Sequence, residues 1–123
     1  MLDASALLAF LHDEPGGEPV SAALDGARVS AVNGSEVLQK SLQRKADIDG
    51  MRQEFSEVGG MFEPFSPEQA EIAAHLWADT KGHGLSLADR SCLALALDKR
   101  LPVMTADRRW GELRLDLDIR LLR

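Results

Sequence analysis

GLSLADRSCLALALDKRLPVMTAD, residues 84–107, decides the fold, because it sets two separated aspartates at the ends of one helix–turn–strand unit. Ser86 is a good N-cap and Asp89, three positions later, is its capping-box partner. Apolar residues at helical spacing then run to Lys99. Arg100, Leu101 and Pro102 break that helix. Val103-Met104-Thr105 is a short apolar run that suits a strand buried on both faces, and Asp107 follows it. In a parallel sheet Asp107 lies at the carboxyl end of its strand, where open α/β sheets keep their ligands.

Working outward, the remaining chain alternates short apolar runs with helical patterns. Asp3 heads an apolar helix ending near Leu11, and Asp13 to Gly17 is a loop by composition. A short helix from about Pro19 to Leu24 and a brief strand at Arg28–Ser30 follow. An amphipathic helix covers Glu36 to about Lys45, and a second, of mixed polarity, Asp47 to Val58. Met61 to Phe65 reads as a strand. Ser66-Pro67-Glu68-Gln69 is the clearest helix start, with an N-cap, a proline at N1 and a capping-box glutamine, and its helix is expected to reach Thr80. Asp118 to Leu122 alternates like an edge strand. Strands separated by helices imply right-handed crossovers, hence a mainly parallel sheet covered on both faces. In that sheet Asp3, Glu36 and Asp107 converge at one edge, and Asp89 joins them from its helix head.

Composition limits the function classes. A chain of 123 residues suits one domain spanning 1–123, and its 45% hydrophobic and 28% charged residues are ordinary for a globular protein. No apolar run is long enough to span a bilayer, and Asp3 interrupts any signal-like start, so a soluble cytoplasmic protein is expected. The lone Cys92 reads as a small core residue. A net charge of −6 argues against nonspecific attraction to nucleic acid, although cations held in an acidic cleft reverse the local sign. His12, His75, His83 and Cys92 lack zinc-ligand spacing, and neither a phosphate-binding glycine loop nor a nucleophile elbow is present.

Four blocks, MLDASALLAFLHDEPG, SAVNGSEVLQK, GLSLADRSCLALAL and LPVMTADRRW, together resemble the PIN-domain family, most closely its VapC-type toxin branch. Each block is weak alone; their order and spacing over nearly the whole chain are specific. The resemblance implies a three-layer α/β/α PIN-like domain with a mainly parallel central sheet. It also implies a metal-dependent endoribonuclease whose Asp3, Glu36, Asp89 and Asp107 hold Mg2+ or Mn2+ and activate water. Ser5 and Thr105 are then expected to line the pocket and Asn33 to orient the loop before Glu36. A VapB-type antitoxin partner and a homodimer follow from the same likeness. Arg90, Arg108 and Arg109 flank the later aspartates and are candidates for RNA-phosphate contacts. One departure is visible: only Met1 and Leu2 precede Asp3, where the family has several apolar residues, so either the central strand is short or it begins upstream.

Each acid has a plainer reading beside this one. Asp3 also serves as an N-cap, Asp89 as a capping-box acid, Asp107 as a turn former, and Glu36 as a surface partner of Lys40 at i,i+4. Trp77 is expected in the core. Trp110 reads as a core residue, with base stacking as its alternative. At the level of function, two rivals stand beside the toxin: a PIN nuclease that processes RNA without an antitoxin, and a catalytically silent binding protein of the same fold.

Overall fold

The computed structural model describes residues 1–123. Its elements are α1 (Ala4–Leu11), α2 (Gly17–Ala22), β1 (Arg28–Ser30), α3 (Ala31–Gln43), α4 (Met51–Glu57), β2 (Met61–Glu63), α5 (Pro67–His75), α6 (Trp77–Thr80), α7 (Leu87–Lys99), β3 (Val103–Thr105) and β4 (Ile119–Leu121). Short 3₁₀ turns occupy Lys81–His83 and Arg108–Glu112. No helix is long and apolar enough to cross a membrane.

β1 pairs with β2 and β3 with β4, both in parallel. The first three residues join these pairs. Leu2 N donates to Arg28 O at 2.9 Å, Met104 N donates to Met1 O at 2.8 Å, and Asp3 N donates to Met104 O at 3.3 Å. Leu2 and Met104 form a parallel bridge. The strand order is therefore β2, β1, Met1–Asp3, β3, β4. Asp3 stands at the carboxyl end of this central segment.

Two apolar clusters flank this sheet. One gathers Leu2, Leu7, Val29, Val37 and Phe55 beneath α1, α3 and α4; the other gathers Ala73, Leu76, Leu93, Val103 and Trp110 beneath α5 and α7. This is the three-layer α/β/α arrangement. Burying each large aliphatic side chain contributes about 2 kcal/mol, so strands of three residues persist because helices cover both faces. Gly17 lets α2 cross α1 closely, since a Cβ there would stand 2.8 Å from Ala9 O.

Three details differ from the sequence expectations. Asp47–Gly50 is not helical: Asp47 Oδ1 accepts from Asp49 N at 2.9 Å, and Gly50 takes a left-handed φ of 79° before α4 begins at Met51. The helix opened by Ser66 stops at His75 instead of reaching Thr80 unbroken. Arg90 Nη1 donates to Ala73 O at 2.9 Å, taking the acceptor that a continuous helix offers to Trp77 N, and Thr80 Oγ1 donates back to Leu76 O at 2.8 Å. Leu76 lies inward with Ala73 and Thr80, and Trp77 lies outward. Trp77 is 55% exposed, with the Lys81 ammonium 4.7 Å from its ring centroid, while Trp110 is fully buried.

Candidate functional site

Asp3 is the deepest of the four acids, 3% exposed at the head of α1. Its extended backbone lets the carboxylate cap that helix, and Ala6 N donates to Oδ1 at 2.8 Å. Thr105 Oγ1 donates to Oδ2 at 2.7 Å, and Ser5 Oγ lies 2.8 and 2.9 Å from the two oxygens. Burial raises the Asp3 pKa from 3.8 to about 6. Hydrogen bonds from Thr105, Ala6 and Ser5 oppose that rise, and the charge of Asp89 adds to it.

Ser5 and Thr105 also carry the network across to Asp107. Ala106 N donates to Ser5 Oγ at 2.9 Å, and Asp107 N donates to Thr105 Oγ1 at 3.0 Å. The end of β3 is thus stitched to the head of α1. Asp107 itself faces Arg109: Nε stands 3.0 Å from Oδ1 and 3.1 Å from Oδ2, and Nη2 donates to Oδ2 at 2.5 Å. These bonds hold the Asp107 carboxyl below its usual range. Arg109 Nη1 reaches on to His83 O and Gly84 O, each at 3.1 Å. Those two carbonyls escape sequence reading; their one trace is the glycine at 84, which ends the 3₁₀ turn with a φ of 67°.

Asp89 occupies the first turn of α7. A full capping box holds it: Asp89 N donates to Ser86 Oγ at 3.2 Å, and Ser86 N donates to Asp89 Oδ2 at 2.9 Å. Asn33 and Glu36 come from α3, three positions apart and hence on one face. Asn33 lies within that helix and not in a loop before it, and its Nδ2 donates to Ala88 O at 3.0 Å, pinning α3 beside Asp89. Glu36 Oε1 pairs with Lys40 Nζ at 3.3 Å. Glu36 Oε2 and Asn33 Oδ1 are both buried without a hydrogen-bond partner. Orphaned buried acceptors are costly, and two on one helix face mark a place suited to a cation or donor.

Cys92 is fully buried on α7. Burial pushes its thiol well above the ordinary 9.0, and the charges of Asp3, Asp89 and Glu36 push the same way. Asp107 connects to that group through Thr105, and Asp89 also bears on the Arg109 guanidinium, which Asp107 chiefly holds in its charged form. The other two arginines engage elsewhere: Arg90 with α5, as above, and Arg108 Nε with Arg123 O at 3.3 Å.

The donor set suits magnesium or manganese, which take oxygen ligands from carboxylates. As the side chains lie, no three His, Cys, Asp or Glu groups are placed to hold one ion. Asp89 is engaged by Ser86, Asp107 by Arg109 and Glu36 by Lys40. The residues fit a divalent cation chemically, and side-chain rotation is needed to close on it.

A sequence model of the PIN domain matches residues 1–115. Among solved structures, a toxin-antitoxin complex from Klebsiella pneumoniae superposes with a TM-score of 0.74 at 16% identity, covering 99% of this chain and 96% of that one. FitAcB from Neisseria gonorrhoeae superposes with a TM-score of 0.68 at 19% identity, covering 98% and 96%. No curated protein matches the chain.

Proposed function

Because the chain belongs to the PIN domain family, we propose that it is a metal-dependent endoribonuclease of the VapC type, the toxin half of a cytoplasmic toxin-antitoxin pair. One observation supports this reading: Thr105 ties Asp3 to Asp107, and Asn33, on the same face of α3 as Glu36, donates to Ala88 O beside Asp89. Such a concentration of acid is expensive unless something positive shares it.

Asp3, Glu36 and Asp89 would hold Mg2+ or Mn2+, with Asp107 joining once freed from Arg109. A bound ion of this kind stabilises charge on phosphoryl oxygens and supplies an acidified water for attack on the RNA phosphodiester. The chain's own groups prepare the place. Ala6 N, Ser5 and Thr105 fix the Asp3 carboxylate in one orientation, and the capping box does the same for Asp89. Arg108 and Arg109 are exposed beside Asp107 and offer planar donors that match phosphate.

An antitoxin partner is supported by an apolar groove of about 190 Å³ beside α1, α3 and α4, lined by Leu7, Phe10, Val37, Met51, Phe55 and Phe62 among others. The Klebsiella pneumoniae structure of the same fold named above is a toxin-antitoxin complex. A homodimer completes the family reading.

The test is RNA cleavage with and without Mg2+ or Mn2+, for the wild type, Asp3→Asn and Asp89→Asn. Each substitution is expected to lower the rate by about a hundredfold or more, the usual scale for losing a group that positions the reacting atoms. Full activity in both variants would show that the pocket is assigned wrongly. A second reading, a catalytically silent binding protein, is favoured by the arginine clamp on Asp107. Calorimetry that finds no Mg2+ or Mn2+ binding at millimolar concentration selects it.

A further inference from the structure

Arg109 does more than sit near the acidic group. Its guanidinium bonds both oxygens of Asp107, and its remaining nitrogen is seated on the His83 and Gly84 carbonyls. Gly84 is packed so tightly against it that a Cβ there would stand 3.2 Å from Nη1. The backbone N of Arg109 adds a further bond to Asp107 Oδ1 at 3.0 Å. The arginine side chain is nevertheless 50% exposed, against 22% for Asp107, so it has an open path away from its partner.

The same two-residue spacing occurs a second time, which shows what is particular here. Arg120 grips Asp118 through Nε at 3.0 Å and Nη2 at 2.8 Å, but both side chains are more than half exposed and Arg120 has no carbonyl anchor. A local Asp-x-Arg pair therefore forms by itself at the surface. At Asp107 the fold adds the carbonyl anchors and ties the pair to Asp3 through Thr105.

We infer that Arg109 is an internal counter-cation of the acidic site, a latch that withholds Asp107 until a divalent cation displaces it. This rests on the reading of the four acids as a cation site. The guanidinium covers both oxygens of Asp107 with a full positive charge that repels an incoming cation, so binding by Asp107 competes with the closed latch. Arg109 acts as a positioning residue: it sets whether Asp107 is available, and cation affinity is reduced by the fraction of molecules in which it is not.

The experiment is calorimetric titration of the full chain with Mn2+, without RNA. Arg109→Gln is expected to tighten Mn2+ binding roughly three- to tenfold, the scale of a partly exposed bidentate pair. Arg120→Gln, which removes the same charge from the comparison pair, should leave affinity unchanged. In an Asp107→Asn background the gain from Arg109→Gln should vanish, because there is no carboxylate left to release. An unchanged or weakened affinity in Arg109→Gln, with the wild type binding, overturns the latch and leaves the cation site standing. A gain that persists in Asp107→Asn also overturns it, since general electrostatics would then account for it. If neither wild type nor Arg109→Gln binds Mn2+, the cation site falls and the latch with it. Should Arg109→Gln fail to fold, Arg109→Lys carries the same test: it keeps the charge, loses the fork, and is expected to bind about twofold tighter.

Discussion

Asp3→Asn should stabilise the metal-free protein at pH 8 and destabilise it slightly at pH 4, a crossing of sign that follows from one buried carboxylate. Burial raises the Asp3 pKa from 3.8 to about 6 in the folded chain. A group whose folded pKa is raised contributes stability that is fully present below its unfolded pKa and is lost as pH climbs through the folded one. The window is therefore pH 3.8 to about 6. At about 1.36 kcal/mol per pKa unit, the loss across it is about 3 kcal/mol. Asparagine does not titrate and escapes this loss. It does replace an acceptor with a donor opposite Thr105 Oγ1, which costs about 1 kcal/mol unless the hydroxyl turns. The net expectation is about 2 kcal/mol in favour of the variant at pH 8 and about 1 kcal/mol against it at pH 4. Asp107 does not blur the window, because its pKa is lowered and its own contribution is lost only below 3.8. Urea unfolding in EDTA, followed through the fluorescence of buried Trp110, measures both stabilities. Parallel curves for wild type and variant from pH 4 to 8 would refute the claim that Asp3 is charged at a cost.

Manganese should reverse the trend: at a hundred times its Kd it adds about 2.7 kcal/mol, and more at pH 8 than at pH 5, because Asp3 must shed its proton first; thermal melts at the two pH values check this. Ser86→Ala should cost about 1 kcal/mol through loss of the N-cap and leave Mn2+ affinity little changed, since Asp89 Oδ2 keeps its bond from the residue-86 amide; urea midpoints give the first, calorimetry with Mn2+ the second. Gly34→Ala should cost about 1–3 kcal/mol, because its Cβ would stand 2.9 Å from two atoms of the Phe62 ring, and the denaturant midpoint reads that directly.

Local chemistry made the scaffold readable. Ser86 with Asp89 and Ser66 with Pro67 carry their helix starts in a few adjacent residues, and Val103–Thr105 announces a buried strand by its apolar run. What stayed hidden depends on partners far away in sequence. The break at Leu76 needs Arg90, 17 residues beyond Ala73, to compete for a carbonyl. Trp77 looks like a core residue, but Ala73, Leu76 and Thr80 take the buried face and leave it outside. Asp47–Gly50 failed for the opposite reason, since an aspartate and a left-handed glycine outweigh helical spacing nearby. At the site, the acids are visible as residue types. The bonds that aim them are not: Asn33 on Ala88 O spans 55 positions, and Thr105 on Asp3 spans 102.

The four acids share one device. Each has a local positive group: the first-turn amide Ala6 N for Asp3, Ser86 N for Asp89, Arg109 for Asp107 and Lys40 for Glu36. Helix N-termini carry partial positive charge and each such contact is worth up to about 1 kcal/mol, so backbone amides offset Asp3 and Asp89, while full side-chain charges offset Asp107 and Glu36. The offsets differ in how readily they yield. Amides at helix heads are fixed and keep bonding a carboxylate whose other oxygen turns elsewhere, whereas Arg109 and Lys40 are side chains that must leave. Asp3 and Asp89 are therefore the preformed half of the arrangement, and Asp107 and Glu36 the half that has to be released. On that ordering, substituting Asp3 or Asp89 should abolish Mn2+ binding, while substituting Asp107 or Glu36 should weaken it by a smaller factor. Equal losses at all four positions would show that no such division exists.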